Sequence, residues 1–422
     1  MSRPDGGDGL GAPTFDVLIV GAGHAGVQVA AALAPTFPGS IGLMSAETSE
    51  PYEKPPLTKG FLVGNLGEPD LLLRPSDFWA ESGITMMLGR HVAEVDADAK
   101  IVVTSEGDPI KYRQLVWAAG ASPVRIDLPG MHLPGVHELR TLEDAVRFRA
   151  QISPDTKVVV IGGGYIGLEA ASACRKLSAS VTVVESRSRL LSRVTGPEVA
   201  EHLLRAHLTS GAHVELNATV TGIGETGGRA SSVLLSDGRV IEADVVLVSV
   251  GIRPNVEVLA AAGALCSNGV EIDLQGRTSL PDVYAAGDCT CYPSDGGFRR
   301  LESLQNAVEQ GEVVAKSIMG EEVSYDVVPY FWSNQYDIKI KTIGLFTEHD
   351  EAIVRMGDDP GSFSVVYLHD GRVCAVDSIN AMRDYVDARR VLGAKVEAGV
   401  VRDQTVRLRD SVCGDQPIDD RA

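Results

Sequence analysis

The residues able to do chemistry gather around two glycine signatures. The first is Gly21-x-Gly23-x-x-Gly26 and the second is Gly162-x-Gly164-x-x-Gly167, each entered from an apolar run, VLIV or KVVVI. In such a motif the first glycine makes a tight turn, the second lets the backbone approach a pyrophosphate, and the third lets helix and strand pack. The phosphates then meet N–H groups at a helix N-terminus. One copy is weak evidence, because any strand–helix turn can use glycine. Two copies, each followed by a strand ending in an acid, read as a duplicated dinucleotide-binding unit. In the second copy the acid is Glu185, at the end of VTVVE. A carboxylate there accepts from a ribose 2′-OH and repels a 2′-phosphate, which favours NADH over NADPH. In the first copy the strand IGLMSAE delivers Glu47 as the ribose partner. Two different nucleotides in one chain point to a flavin and a nicotinamide. Asp288, in YAAGDCT, stands at the end of a short strand before a helix, where a carboxylate can hold a flexible polyol such as ribitol.

These groups need two sheets to hold them. The fold class expected is α/β: two Rossmann-like dinucleotide-binding domains followed by an α+β C-terminal domain with an antiparallel sheet. Each glycine unit closes with a hairpin-like stretch, IVVTSEGDPIKYRQLVWAAGASP in the first and SVLLSDGRVIEADVVLVSVGIRPN in the second. The segment LPDVYAAGD and the helical LESLQNAVEQGEVVAKSIMG return the chain to the first unit. The expected division is a flexible tail at 1–14, a discontinuous first domain at 15–117 and 248–325, an inserted second domain at 118–247, and a C-terminal domain at 326–422. In the last, DIKIKTIGLF, EAIVRMG, FSVVYLHD and RVCAVDSI alternate as antiparallel strands. Asp359-Pro360-Gly361 and Asp370-Gly371 supply turns, and MRDYVDARRVLGAKV reads as a closing helix. From about Arg402 the sequence is polar and carries little pattern.

Composition narrows the function. The 422 residues hold 38 Lys and Arg against 57 Asp and Glu, a formal charge of −19. That excludes a nucleic-acid binder, which shows a basic footprint, and an anionic membrane surface as the main partner. Residues 17–34 form an apolar run of nearly spanning length. An acidic, glycine-rich lead-in and the internal His24, Gln28 and glycines make it a buried strand and packed helix, so no membrane span is expected. The cysteines at 174, 266, 289, 291, 374 and 413 form no Cys-x-x-Cys pair and no metal-ligand set. Reduced thiols and a cytoplasmic location are expected.

With these motifs in order, the chain resembles the glutathione-reductase-like pyridine nucleotide flavoproteins. Within them it is similar to the NADH-dependent ferredoxin reductases typified by putidaredoxin reductase and the reductases of Rieske-type dioxygenases. PYEKPPLTKGFL (51–62), GGGYIGLE (162–169), VGIRPN (250–255), VYAAGDC (283–289), LESLQNAVEQG (301–311) and VPYFWSNQY (328–336) carry the resemblance, over about residues 15–395. It implies FAD in the first unit and NADH in the second. It places Lys54 and Lys59 in a loop reaching the flavin, with Lys59 near N5 and Glu169 paired to it beside the nicotinamide. Arg125 contacts the flavin nucleotide, Gln305, Trp332 and Gln335 border the flavin, Tyr165 lies at the nicotinamide entrance, and Gly251 completes the NAD set. Leu304 stands where relatives often have Trp, and Lys54 where Arg is commoner.

The resemblance further implies hydride transfer from NADH to the flavin, followed by single-electron release to a 2Fe–2S ferredoxin. That ferredoxin would supply a cytochrome P-450 or an aromatic-ring dioxygenase. Such carriers are acidic, so a chain at −19 needs a local basic patch. Arg299, Arg300, Lys339, Lys341, Arg389 and Arg390 are the candidates, on a monomer or weak dimer. The alternatives are a rubredoxin reductase or a soluble NADH reductase of a small quinone or radical. A disulfide reductase or a peroxidase of this fold needs cysteine early in the first unit, and the first cysteine here is Cys174. A signalling flavoprotein that binds nucleic acid is excluded by charge.

Overall fold

A computed structural model describes residues 12–294, 296–346 and 349–413; most of the expected 1–14 tail, and the end of the C-terminal segment, lie outside the described residues. Packing divides the chain into two compact units. The first comprises the residues up to Glu53, Leu72–Ala121 and Pro254–Val327. The second comprises Lys54–Leu71, Ser122–Arg253 and the chain from Val328. These units group the expected segments differently in two places. The C-terminal sheet joins the second glycine unit in one body, and Lys54–Leu71 belongs to that body too. Side-chain bonds explain both, because Thr58 and Lys59 donate to Glu169, Ser333 donates to Glu169, and Thr195 donates to Asp377.

In the first unit, strand Thr14–Val20 lies between Ile41–Met44 and Pro109–Trp117, parallel to both. All four residues of IGLM are buried, as a parallel strand covered on both faces requires. Pro109–Trp117 pairs at its start with the antiparallel Ile101–Thr104, and at its end with the returning Val283–Ala285 in parallel. That pairing closes the discontinuous unit. Helices His24–Leu33 and Leu304–Ile318 touch closely: a Cβ on Gly311 would lie 2.8 Å from the carbonyl oxygen of Ala25. Ser303 caps the second of these helices by accepting from the Asn306 N–H at 3.1 Å.

In the second unit, five parallel strands run in the order His213–Glu215, Ser180–Val184, Lys157–Ile161, Val245–Val248, Val136–His137. The hairpin stretch forms a separate antiparallel sheet of Val220–Thr226, Arg229–Leu235 and Val240–Glu242. From Tyr330 a five-stranded antiparallel sheet follows, in the order Tyr330–Gln335, Ile338–Gly344, Arg372–Ile379, Phe363–His369, Glu351–Met356. Asp370 and Gly371 both take positive φ, 49° and 72°, as a two-residue hairpin turn requires.

The closing helix is shorter than the sequence suggests. It spans Met382–Val391 and is followed by Gly393 at φ +75°, a conformation no helix can continue through. The C-terminal stretch is also more ordered than its polarity implies. Arg355, 3 % exposed, pairs with Asp384 at 3.0 Å and donates to the carbonyls of Val401, Asp403 and Val406. One buried guanidinium thereby fixes the helix Ala398–Arg402 and the turn after it. Among the described residues no helix is long and apolar enough to cross a membrane.

Candidate functional site

Each glycine signature is a strand–turn–helix cradle. Gly21 has φ +109°, and a Cβ there would lie 2.1 Å from the Ala118 carbonyl oxygen. A Cβ on Gly26 would lie 1.8 Å from the Gly21 oxygen. Gly23 is different: a Cβ there meets nothing within 4 Å. It is also the N-cap of His24–Leu33, with no side chain capping the helix. The second cradle repeats this. Gly162 has φ +111° and would clash with the Ser249 oxygen at 2.2 Å, Gly167 with the Gly162 oxygen at 2.3 Å, while Gly164 faces open space and caps Tyr165–Lys176. The outer glycines are dictated by backbone packing. The middle ones meet no chain atom that demands glycine, and their open backbone at a helix N-terminus is the geometry a pyrophosphate needs.

The acids are held differently. Glu47 accepts from the hydroxyl of Tyr52, itself 5 % exposed. Glu185 accepts from the N–H of Gly163 at 2.8 Å with one oxygen and from the N–H of Arg187 at 2.8 Å with the other. It thus lies directly over the glycine turn, where a ribose hydroxyl would meet it.

Asp288 is half-buried just after Val283–Ala285. Its turn is organised by Gln310, which sequence reasoning does not single out. The Gln310 oxygen accepts from the Gly287 N–H at 2.7 Å and from Thr290 at 2.8 Å. Asn255, quoted only within VGIRPN, braces the first cradle's rear loop by donating to the Ala119 carbonyl at 2.8 Å and accepting from the Trp117 indole at 2.8 Å. The one available signal for both is an amide side chain, buried in Gln310 and half-buried in Asn255, beside a glycine turn, which needs tertiary context to see.

The second unit brings together residues far apart in sequence. Glu169 sits on the second turn of Tyr165–Lys176 and is 5 % exposed. Its Oε2 accepts from Lys59 Nζ at 2.5 Å and from Thr58 Oγ1 at 2.6 Å; its Oε1 accepts from Ser333 Oγ at 2.6 Å. Lys59 follows the short helical turn Pro55–Thr58 and also donates to the Pro55 carbonyl at 3.2 Å. The ammonium is thus pinned with 20 % of its side chain exposed. A positive charge so fixed can stabilise negative charge developing on a group placed against it.

Tyr165 packs against Phe331, ring centroids 4.4 Å apart, and burial pushes its phenol well above the ordinary value. Trp332 stacks on Tyr330 at 5.6 Å. Lys54 is half-buried at the start of the Pro55–Thr58 turn, and Gly251 has φ +122°.

Three further residues of the expected FAD set have these surroundings. Gln335 is 1 % exposed and its amide is used inside the unit, bonded to His207 at 3.0 Å and to Ser333 at 3.3 Å. Arg125 points outward, its side chain 88 % exposed and 3.8 Å from Glu138. Gln305 bonds Glu309 within its own helix at 2.8 Å.

Of the basic candidates, Lys339 and Arg389 are exposed, and Lys341 lies over the Tyr385 ring at 4.3 Å. Lys339 and Lys341 line a shallow cavity of about 300 Å³ with Asp337, Met382 and Tyr385. Arg299 and Arg390 are half-buried. Arg300 is corrected: with 12 % of its side chain exposed, it is paired to Glu302 and bonded to Asn268. No redox-active thiol pair is present among the described residues. Cys174 and Cys289 are fully buried, and burial pushes each thiol up to about 12.

A chain with two such cradles is an oxidoreductase built to hold two dinucleotides. The chain belongs to the pyridine nucleotide-disulphide oxidoreductase family, whose model matches residues 15–311, and a reductase C-terminal model matches 330–412. It is 44 % identical to a ferredoxin–NAD(P)(+) reductase of Sphingomonas sp, over 92 % of this chain and 96 % of that protein. It is 36 % identical to a rubredoxin–NAD(+) reductase of Pseudomonas putida, over 86 % and 95 %. Among solved structures, the covalent putidaredoxin reductase–putidaredoxin complex matches with a TM-score of 0.90 at 35 % identity, covering 95 % of this chain and 98 % of that one.

Proposed function

We propose that this chain is an FAD-containing NADH:ferredoxin reductase, feeding a 2Fe–2S ferredoxin that serves a cytochrome P-450 or a Rieske-type dioxygenase. The observation that supports it most is the buried Lys59–Glu169 pair, carried by a chain that has two pyrophosphate cradles and no thiol pair. FAD is assigned to the first unit through Gly21, Gly23, Gly26, Glu47 and Asp288. NADH is assigned to the second through Gly162, Gly164, Gly167, Tyr165, Glu185 and Gly251. Lys54, Arg125, Gln305 and Trp332 join the FAD set on their sequence motifs alone. Bound FAD supplies the conversion of a two-electron donor into single electrons.

The chain's own residues bind, orient and stabilise. The bare N–H groups at Gly23 and Gly164 hold phosphate. Glu185 accepts from the adenine ribose and disfavours a 2′-phosphate. Glu169, held by Thr58 and Ser333, keeps the Lys59 ammonium in one place, where it stabilises charge without reorganising. The exposed Lys339 and Arg389 and the half-buried Lys341 offer positive charge to an acidic carrier. The proposed location is the cytoplasm, and the proposed state a monomer or weak dimer.

The test is NADH-driven cytochrome c reduction with and without 2Fe–2S ferredoxins and rubredoxins. A strict requirement for a 2Fe–2S partner is expected. Turnover with rubredoxin alone would establish the second reading, a rubredoxin reductase, which the 36 % identity to such an enzyme favours. Turnover with a small quinone and no protein carrier would overturn both.

A further inference from the structure

Glu169 is the end of a chain of buried hydrogen bonds whose direction is set link by link. A carboxylate can only accept, so the single hydroxyl proton of Ser333 goes to Glu169 Oε1 at 2.6 Å. Ser333 Oγ must then accept from the Gln335 amide nitrogen, 3.3 Å away. That turns the Gln335 oxygen to His207, where it meets Nε2 at 3.0 Å. An amide oxygen cannot donate, so Nε2 carries the proton. The other ring nitrogen, Nδ1, lies 3.0 Å from the Tyr336 hydroxyl and accepts from it. His207 is completely buried, and burial lowers its affinity for a second proton, which agrees with a neutral ring. Ser333, Gln335 and His207 come from a strand and a helix otherwise remote in sequence, yet every donor in the series points one way, toward Glu169.

We infer that His207 is a positioning residue for the Lys59–Glu169 pair, acting through Gln335 and Ser333 and held in its neutral Nε2–H tautomer by the carboxylate at the far end. This rests on the proposal that the pair assists hydride transfer. His207 touches no substrate. Its contribution is to deny the Gln335 amide its flipped orientation, in which Ser333 would lose its donor and Glu169 would lose the contact that fixes Oε1.

Two measurements on the full-length flavoprotein test it. The first is the ¹⁵N spectrum of His207, assigned by its absence in His207→Gln. The wild type is expected to show the neutral Nε2–H form, and Glu169→Gln, whose amide can itself donate, a mixture of tautomers. An unchanged tautomer in Glu169→Gln would overturn the inference. The second is the stopped-flow rate of flavin reduction by NADH. His207→Leu is expected to slow it by between about 10- and 100-fold, the scale of a small misplacement near a reaction centre. His207→Gln, which keeps a donor to Gln335, is expected to restore most of the rate. Should His207→Leu not fold, Ser333→Ala severs the same series by losing one hydroxyl. Normal rates in the folded His207→Leu or Ser333→Ala, with Glu169→Gln slow, would overturn the inference and leave the proposed function standing. Normal rates in Glu169→Gln would overturn the proposed role of the pair itself.

Discussion

The Lys59 ammonium and the Glu169 carboxylate meet at 2.5 Å although 110 positions separate them in the chain. Lys59→Met leaves a carboxylate that is 5 % exposed with hydroxyl donors only. Removing one partner of a buried pair costs about 3 kcal/mol, and removing both costs less. Chemical denaturation should therefore show Lys59→Met less stable than Lys59→Met with Glu169→Gln. Flavin reduction by NADH should fall about 100-fold in both, as when one fixed electrostatic donor is lost. Stability of the double variant below that of the single would contradict the pairing.

His207 gives acid sensitivity of a definite sign. Burial sets its folded-state pKa below the ordinary 6.5, outweighing the bond to Gln335. The folded chain holds this proton less tightly than the unfolded chain. The site's contribution to stability is complete above about pH 6.5 and is lost as pH falls below it. The slope is at most about 1.4 kcal/mol per pH unit for one proton. His207→Gln should flatten the stability profile between pH 5 and 6.5 without abolishing it, because His137 and His202 are lowered by burial too. A urea-midpoint profile parallel to the wild type would refute the assignment.

Nucleotide preference should follow Glu185. Its two oxygens accept from backbone N–H groups at Gly163 and Arg187, so the carboxylate is already oriented before any ribose arrives. Glu185→Ala should raise the NADH KM about tenfold, the worth of one charged hydrogen bond, and narrow the preference over NADPH. Ferricyanide turnover with each nucleotide reads this out. A ratio that does not move would place the discrimination elsewhere.

The carrier should sense Lys339 and Arg389 but not Arg300. Reversing the first two to Glu is expected to raise the ferredoxin KM, more at low salt, while NADH–ferricyanide turnover holds. Arg300→Glu instead breaks the contacts to Glu302 and Asn268 and should lower stability. Equal loss of both activities in the Lys339 and Arg389 variants would end the docking assignment.

Much of this was legible in sequence where the cause is local. A glycine that must turn, an acid at a strand end and a period-two strand each announce themselves. Asp370-Gly371 and the cradle glycines are of that kind. Residues that act through tertiary contact gave no such signal. Gln310 is one amide in a helix until Gly287 comes to it. Arg355 is one basic residue in an edge strand until three carbonyls of a polar segment close around it. The motif draws attention to Gln335, but its bond to the buried His207 is silent in sequence. The units differ from the expected domains for the same reason. Sequence shows where patterns change, and packing shows which segments share a core.

Burial of Cys174 and Cys289 has a consequence for durability. A reduced flavin that meets dioxygen releases hydrogen peroxide, and the species that peroxide attacks is the thiolate. Burial pushes Cys174 and Cys289 up to about 12, so the sulfur beside the first cradle and the sulfur on the Glu169 helix hold little of that thiolate at neutral pH. These two positions therefore resist peroxide released when electrons leak to dioxygen.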